Sequence, residues 1–322
     1  MTIQNRARPY RLKIVFAVML TALVVAVVVS CASNSDLPVS AGMGPEPVLP
    51  EPKSSLVPLV NIAPATRWPD GKTPVAADGL AVNAFATGLD HPRWLYVLSN
   101  GDVLVAESNA PDNKPRGIVG RVENWVQKRA GAGGKSADRI SLLRDRDGDG
   151  FAETRATFLS GLTSPFGMSL VGDRLYVANT DTVVSFAYSS GDTEITTAAT
   201  TLAPLPAGEN NRHWTKNLIA SADGQARYVS IGSNSDHGEN GMEAEEGRAA
   251  IREIDIRTGE HREYASGLRN PVGMAFEPST GILWTAVNER DDLGGDLVPD
   301  YMTSVVEGGF YGWPYSYYGD FL

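Results

Sequence analysis

An imidazole, two cations and an indole stand together in Asn210-Asn211-Arg212-His213-Trp214-Thr215-Lys216, immediately before an apolar stretch that begins at Asn217-Leu218. Histidine titrates near neutral pH, so His213 suits a general base that takes a proton from an alcohol. The same residue types also suit an ordinary polar surface loop, and the segment alone does not choose between them. A second group is Gly267-Leu268-Arg269-Asn270-Pro271, where a proline rigidifies the approach to a strand and holds Arg269 beside it. A guanidinium fixed in this way suits an oxyanion, a carboxylate or a quinone oxygen. The third group is Asn288-Glu289-Arg290-Asp291-Asp292, with Asp296 and Asp300 beyond it. Such an oxygen-rich loop can hold a hard cation through carbonyls and carboxylates, although most charge runs of this kind are solvated turns. A fourth, Asp145-Arg146-Asp147-Gly148-Asp149-Gly150, fills positions one, three, five and six of an EF-hand loop but has Ala156 where the bidentate glutamate belongs. Asp145, Asp147 and Asp149 therefore read as structural, either as a calcium-stiffened hairpin or as a plain Asp/Gly turn between strands at 140–144 and 154–159.

The elements that must position these groups announce themselves by repetition. GLDHPRWLYVLSNGDVLVAES starts at Gly88, GLTSPFGMSLVGDRLYVANTD at Gly161 and GLRNPVGMAFEPSTGILWTAVNE at Gly267, with a weaker copy, NLIASADGQARYVSIGSNSD, at Asn217. Each copy reads strand, turn, strand, with turns at Ser99-Asn100-Gly101, Gly172-Asp173 and Ala222-Asp223-Gly224. Self-similarity at a spacing of a few tens of residues marks a repeat architecture. Small antiparallel sheets that repeat in this way bury their faces by stacking radially, and the fold class is all-β, a β-propeller. The three groups just before or after repeat strands then fall at the mouth of a central channel. His91 heads the first copy beside Arg93 and Trp94 and faces the same channel, whereas His237 and His261 sit in polar, Glu-rich surroundings. The stretch from His237 to Arg248 reads as a loop over one end of that channel.

The front of the chain is an address. Arg6, Arg8, Arg11 and Lys13 precede an apolar run at 14–29, and Val29-Ser30-Cys31-Ala32 follows it. The run is short and ends in small residues, which fits a signal peptide over residues 1–30 better than a spanning helix. Cys31 is the single cysteine of the chain, and its placement resembles a lipobox, in which it becomes a lipidated N-terminus. This predicts attachment to the periplasmic face of a bacterial envelope by a lipid anchor only, the outer membrane being favoured, or secretion. Residues 31–74 are rich in Pro and Ser and read as a tether rather than a folding unit, which leaves 75–322 as the propeller domain. Removal of the four leader cations takes the formal net charge from −10 to about −14. An acidic globule with no basic stripe argues against nucleic acid, and a mature domain without cysteine has no disulfides.

Taken in order, these segments resemble the glucose/sorbosone dehydrogenase family, soluble six-bladed propellers that use pyrroloquinoline quinone (PQQ). The residues that carry the likeness are Arg212-His213 ahead of NLIASADGQARYVSIGSNSD, then GLRNPVGMAFEP, the 288–292 loop, and GGFYGWPY at Gly308. The match runs from about Gly88 to Tyr315, and the 288–292 loop looks closest to the sorbosone dehydrogenase branch. The resemblance implies a quinoprotein that oxidises an aldose or sorbosone-like aldehyde by hydride transfer to PQQ, passing electrons to an external acceptor, a quinone or a cytochrome. It implies that His213 is the base and that Arg269 stabilises negative charge on the quinone. Arg269 and Asn270 would contact the cofactor, with Arg212, Trp214 and Lys216 around it, and the backbone carbonyls of Glu289 and Arg290 would hold a calcium ion.

Two departures qualify the match. The glucose enzymes carry an acidic residue before the base histidine, where this chain has Arg212. The sequence stops at Leu322, about where the family's fifth blade would begin its later strands, so about four to five blades are expected here and the final blade, with its basic residues, has no counterpart. The expectation is therefore a fragment of a longer enzyme. Two other functions fit the repeats: a calcium-dependent propeller hydrolase such as a lactonase, which needs no quinone-binding arginine, and a propeller that only presents a binding surface.

Overall fold

The computed structural model describes residues 35–53, 63–66, 68–69, 71–111, 117–208 and 210–319. The apolar leader, Cys31 and the start of the Pro/Ser-rich stretch lie outside the described residues. The chain divides into two compact units, Met1–Asn61 with Arg290–Pro299, and Ile62–Glu289 with Asp300–Leu322.

The larger unit is four antiparallel sheets in chain order. The first is β1 (Pro92–Val97), β2 (Val103–Glu107), β3 (Arg139–Arg144) and β4 (Thr154–Leu159). The second is β5 (Met168–Val171), β6 (Arg174–Ala178), β7 (Thr182–Ala187) and β8 (Thr200–Pro204). The third holds β9 (Leu218–Ala220), β10 (Ala226–Ile231), β11 (Ala250–Asp255) and β12 (His261–Ser266), and the fourth β13 (Asn270–Phe276), β14 (Leu283–Asn288) and β15 (Tyr301–Val305). Each repeat of the sequence supplies the first two strands of one sheet, joined by the expected turn. A two-residue strand, β16 (Gly309–Phe310), returns to the third sheet and pairs in parallel with β12, Ala265 opposite Gly309 and Ser266 opposite Phe310. The GGFYGWPY motif thus adds an edge to the third blade and opens no new one.

The core lies in the seams between neighbouring sheets, which explains the apolar runs. On β6, Leu175 and Val177 pack with Leu104, Ala106, Leu142 and Phe158 of the first sheet. The alternate residues Tyr176 and Ala178 pack with Val229 and Ile231 of the third. A strand buried on both faces reads as continuous hydrophobicity, because its period-two alternation serves two seams. The third seam joins Ile251, Ala265 and Leu268 to Met274, Leu283, Val287 and Val305. On the outward faces of the end sheets, Leu95 and Val97 of β1 and Met302 of β15 are exposed.

Two features depart from expectation. An α-helix, α1 (Gly117–Arg129), is inserted between β2 and β3; its mixed polar sequence carries no strong apolar stripe, so periodicity does not reveal it. The described residues 35–53 are not an independent tether. The Asp296 carboxylate accepts the backbone N–H groups of Asp36 and Leu37, and the Lys53 N–H donates to the Leu293 carbonyl at 2.9 Å. One carboxylate collecting several donors folds this stretch onto the Arg290–Pro299 loop as one unit.

Candidate functional site

The first strands of the four sheets begin at one end of the large unit, and hydrogen bonds stitch those ends together in order. Ser108 Oγ donates to the Pro165 carbonyl at 2.6 Å, linking the first sheet to the second. The Gly167 N–H donates to the Lys216 carbonyl at 2.9 Å, and Thr180 Oγ1 to that of Trp214 at 2.9 Å. Asn217 Nδ2 donates to the Val272 carbonyl at 2.7 Å, and the Ser233 N–H to the Arg269 carbonyl at 2.7 Å. Gly167 is required by this closeness: a Cβ there would lie 2.3 Å from the Leu218 nitrogen.

His213, Arg269 and Asn270 meet at that end. Gly232 lies between His213 and Asn270, and a Cβ on it would stand 2.3 Å from Asn270 Oδ1 and 2.5 Å from His213 Cβ; the Arg269 charge is felt at the same imidazole. The His213 Nδ1 lies 2.8 Å from the Ser233 carbonyl and 3.0 Å from Ser233 Oγ. Burial, followed by the charge of Arg269, with Arg212 and Lys216 adding to it, pushes the imidazole down to about 3 against the weaker pull of its Ser233 hydrogen bond. A neutral imidazole at ordinary pH is the form a base requires. Asn270 donates its amide to Asn288 Oδ1 at 3.3 Å, while its own Oδ1 is buried without a hydrogen-bond partner.

Arg269 is held differently from expectation. Its guanidinium pairs with the Asp236 carboxylate, both side chains about 4% exposed, and donates from Nε to the Asp236 carbonyl at 3.1 Å. Nη1 donates to the Glu289 carbonyl at 2.6 Å. The Glu289 carbonyl, expected on a calcium ion, thus faces a guanidinium. Arg290 belongs to the smaller unit, where its carbonyl accepts the Val298 N–H. Asp300 takes the Asn288 amide at 2.7 Å and the Glu289 N–H at 3.0 Å.

Lys216 is fully buried and donates to the His213 carbonyl at 2.9 Å; burial, then the nearby Arg248 charge, lowers it to about 7. Trp214 packs edge-on against Phe166, centroids 6.4 Å apart, with the Arg93 guanidinium 5.5 Å from its ring centre. Arg212 is exposed and pairs with Glu239 at 3.4 Å. His91 adopts a left-handed φ of 50° at the head of β1. The 237–248 stretch is pinned, not open: Glu239 accepts the Asp236 and His237 N–H groups, and Glu245 and Arg248 are buried.

Sequence reading missed Ser233, Asp236, Glu245 and Arg248, whose parts depend on contacts 10 to 40 residues away. It also missed the use of Trp313, whose Nε1 donates to the Asp236 carbonyl at 2.8 Å and so props the Arg269 pair. In the β3–β4 turn, ligand oxygens of Asp145, Asp147, Asp149 and Glu153 lie within 4.8 Å of one another. Asp145 is occupied by its own turn, accepting the Gly148 and Gly150 N–H groups.

With fold and site in view, relatives give the chain its place. It belongs to the TrAA12-like family, whose model matches residues 134–303. A pyrroloquinoline quinone-dependent sugar dehydrogenase of Hypocrea jecorina is 25% identical over 271 residues, 76% of this chain and 57% of that protein. An uncharacterised protein of Borreliella burgdorferi is 23% identical over 249 residues, 69% of this chain and 62% of its own length. The present chain therefore spans less than two thirds of the curated relatives it matches. Among solved structures, a Trichoderma reesei carbohydrate-active enzyme of family AA12 superposes with a TM-score of 0.60 at 22% identity, covering 77% of this chain and 62% of that one. The PQQ domain of a Coprinopsis cinerea pyranose dehydrogenase gives 0.53 at 19% identity, with 73% and 57% covered. At these identities the structures establish the propeller fold. Among the described residues no helix is long and apolar enough to cross a membrane.

Proposed function

We propose that this chain forms the quinone- and substrate-binding part of a PQQ-dependent dehydrogenase that oxidises an aldose or a sorbosone-like aldehyde. The observation that carries the reading is the meeting of His213 and Asn270 across Gly232, at the common end of the first strands, with the Arg269 charge felt at the imidazole. The sugar dehydrogenase of Hypocrea jecorina supports the reaction class. PQQ, when bound, supplies an ortho-quinone that accepts the hydride equivalent of a two-electron oxidation. The residues present leave room for the cofactor's polar groups: the buried Asn270 Oδ1 has no hydrogen-bond partner and would accept an N–H of the cofactor, and the Arg269, Arg212 and Lys216 side chains lie near enough to His213 to lower it. Asn270, Trp214 and Lys216 would hold the cofactor, with Arg212 at its outer side.

His213, neutral and partly shielded from water, takes the proton of the substrate hydroxyl. Arg269, held in place by its pair with Asp236, acts through its field, which already reaches the imidazole and favours negative charge developing beside it. Calcium belongs to the same reading as a structural ion of the Asp145–Glu153 turn, where the oxygen donors suit a hard cation. The reading further includes lipid attachment at Cys31 on the periplasmic face and an external electron acceptor.

The test is dye-linked oxidation of a sugar panel by the chain supplied with PQQ and calcium. Turnover that falls roughly 100-fold or more in His213→Ala, with PQQ still bound, supports the reading. Turnover unchanged by that substitution, or lactone hydrolysis without PQQ, overturns it.

A further inference from the structure

The hydrogens around His213 can be assigned from chemistry alone. The Ser233 carbonyl can only accept, and it lies 2.8 Å from Nδ1. Ser233 Oγ has one hydrogen, and it donates that hydrogen to the Ser235 carbonyl at 2.6 Å. At 3.0 Å from Nδ1, the hydroxyl oxygen can therefore also only accept. Two acceptors facing one ring nitrogen require that nitrogen to carry the proton, and the other to be bare. Among the described residues no hydrogen bond reaches Nε2. The acceptors are themselves placed by a buried carboxylate, since Glu245 accepts the Asn234 N–H at 2.7 Å and the Ser235 hydroxyl. The Ser233 N–H, bonded to the Arg269 carbonyl at 2.7 Å, ties the same turn to the fourth sheet.

We propose that the Ser233–Ser235 turn, clamped by Glu245, is a positioning device that fixes His213 as its Nδ1-protonated tautomer and presents Nε2 as the basic nitrogen. Ser233 and Glu245 are positioning residues; neither touches the reacting atoms. A free imidazole in water prefers its proton on Nε2, so the turn holds the less common form. The device uses two uncharged oxygens, which orient the ring without placing a full negative charge beside it. The inference rests on the assignment of His213 as the base for its consequence in catalysis, but not for its structural content.

The experiment is long-range 1H–15N correlation of the full chain with 15N-labelled histidine, without cofactor, assigned through His213→Gln. The expected spectrum shows His213 Nδ1 as a pyrrole-type and Nε2 as a pyridine-type nitrogen. Ser233→Ala and Glu245→Ala should move both resonances towards the averaged position of exchanging tautomers, and Glu245→Gln should move them less. Ser235→Ala, which cuts only the hydroxyl link to Glu245, serves if Glu245→Ala does not fold. In the PQQ-loaded chain the same variants should lower kcat by roughly 10-fold or more with KM little changed, as lost orienting partners do. A wild-type His213 protonated on Nε2, or variants that leave the Nδ1-protonated form intact, overturns the proposal. If the variants shift the tautomer while His213→Gln keeps full turnover, the base assignment fails and the positioning device stands.

Discussion

Buried charge at single residues sets how this protein responds to pH. Glu107 on β2 is fully buried, accepts from Arg139 at 2.8 and 3.1 Å, and also takes the Ser141 hydroxyl and the Asp90 N–H. Burial alone would raise its carboxyl, but the Arg139 bond, followed by those of Ser141 and Asp90, outweighs it and holds the group at about 2. An unfolded chain titrates near 4.5, so this stabilisation is complete above that pH and is lost as pH falls towards 2. Glu107→Gln should cost roughly 2–3 kcal/mol at pH 7 and flatten the acid limb of denaturant midpoints between those values. Lys216 works in the opposite range. Its folded value of about 7 lies below the ordinary 10.5, so the unfolded state binds more protons between those values and stability rises with pH there. Lys216→Met should remove that slope and be relatively most stabilising below pH 7, as read from urea midpoints across pH 6–10. A midpoint that tracks the wild type at every pH would show that Lys216 is not the buried cation described.

Among the elements, short glycine-bearing turns decide whether the chemistry assembles. Gly232→Ala forces a methyl into the space shared by His213 and Asn270, with an expected cost of about 1–3 kcal/mol from overpacking. It should also weaken PQQ binding. Gly273→Ala, whose added carbon would meet nothing nearer than 3.8 Å, is the control and should do neither. Trp313→Phe removes one hydrogen bond to the Asp236 carbonyl, costing about 1 kcal/mol, and should raise the PQQ dissociation constant by loosening the Arg269 pair. The strand-turn-strand units were legible because alternation and turn residues are local properties, and His213, Arg269 and Asn270 were legible because they interrupt that repeat. The Ser233–Glu245 turn was not, since a serine in a strand end carries no signal until its partner 10 residues on is placed. Nor was the commitment of Arg269 to Asp236, which sequence spacing cannot distinguish from a cation facing a ligand. The GGFYGWPY motif was visible as a motif, but its use as a parallel edge and a prop depends on where β12 lies.

For the molecule as a whole, three seams between four sheets bury the apolar residues and bring four strand ends to one place. That arrangement makes the site a property of the stack, because His213 comes from the approach to the third sheet and Arg269 and Asn270 from the fourth. The central claim is that these strand ends form a quinone site, and equilibrium titration of the full chain with PQQ tests it most directly. The account predicts saturable binding at one site per chain, weakened at least about tenfold, or 1.4 kcal/mol, in Asn270→Ala. Asp223→Asn, in the turn at the other end of β9, should leave it unchanged. No saturable binding, or equal binding by both variants, would contradict the account.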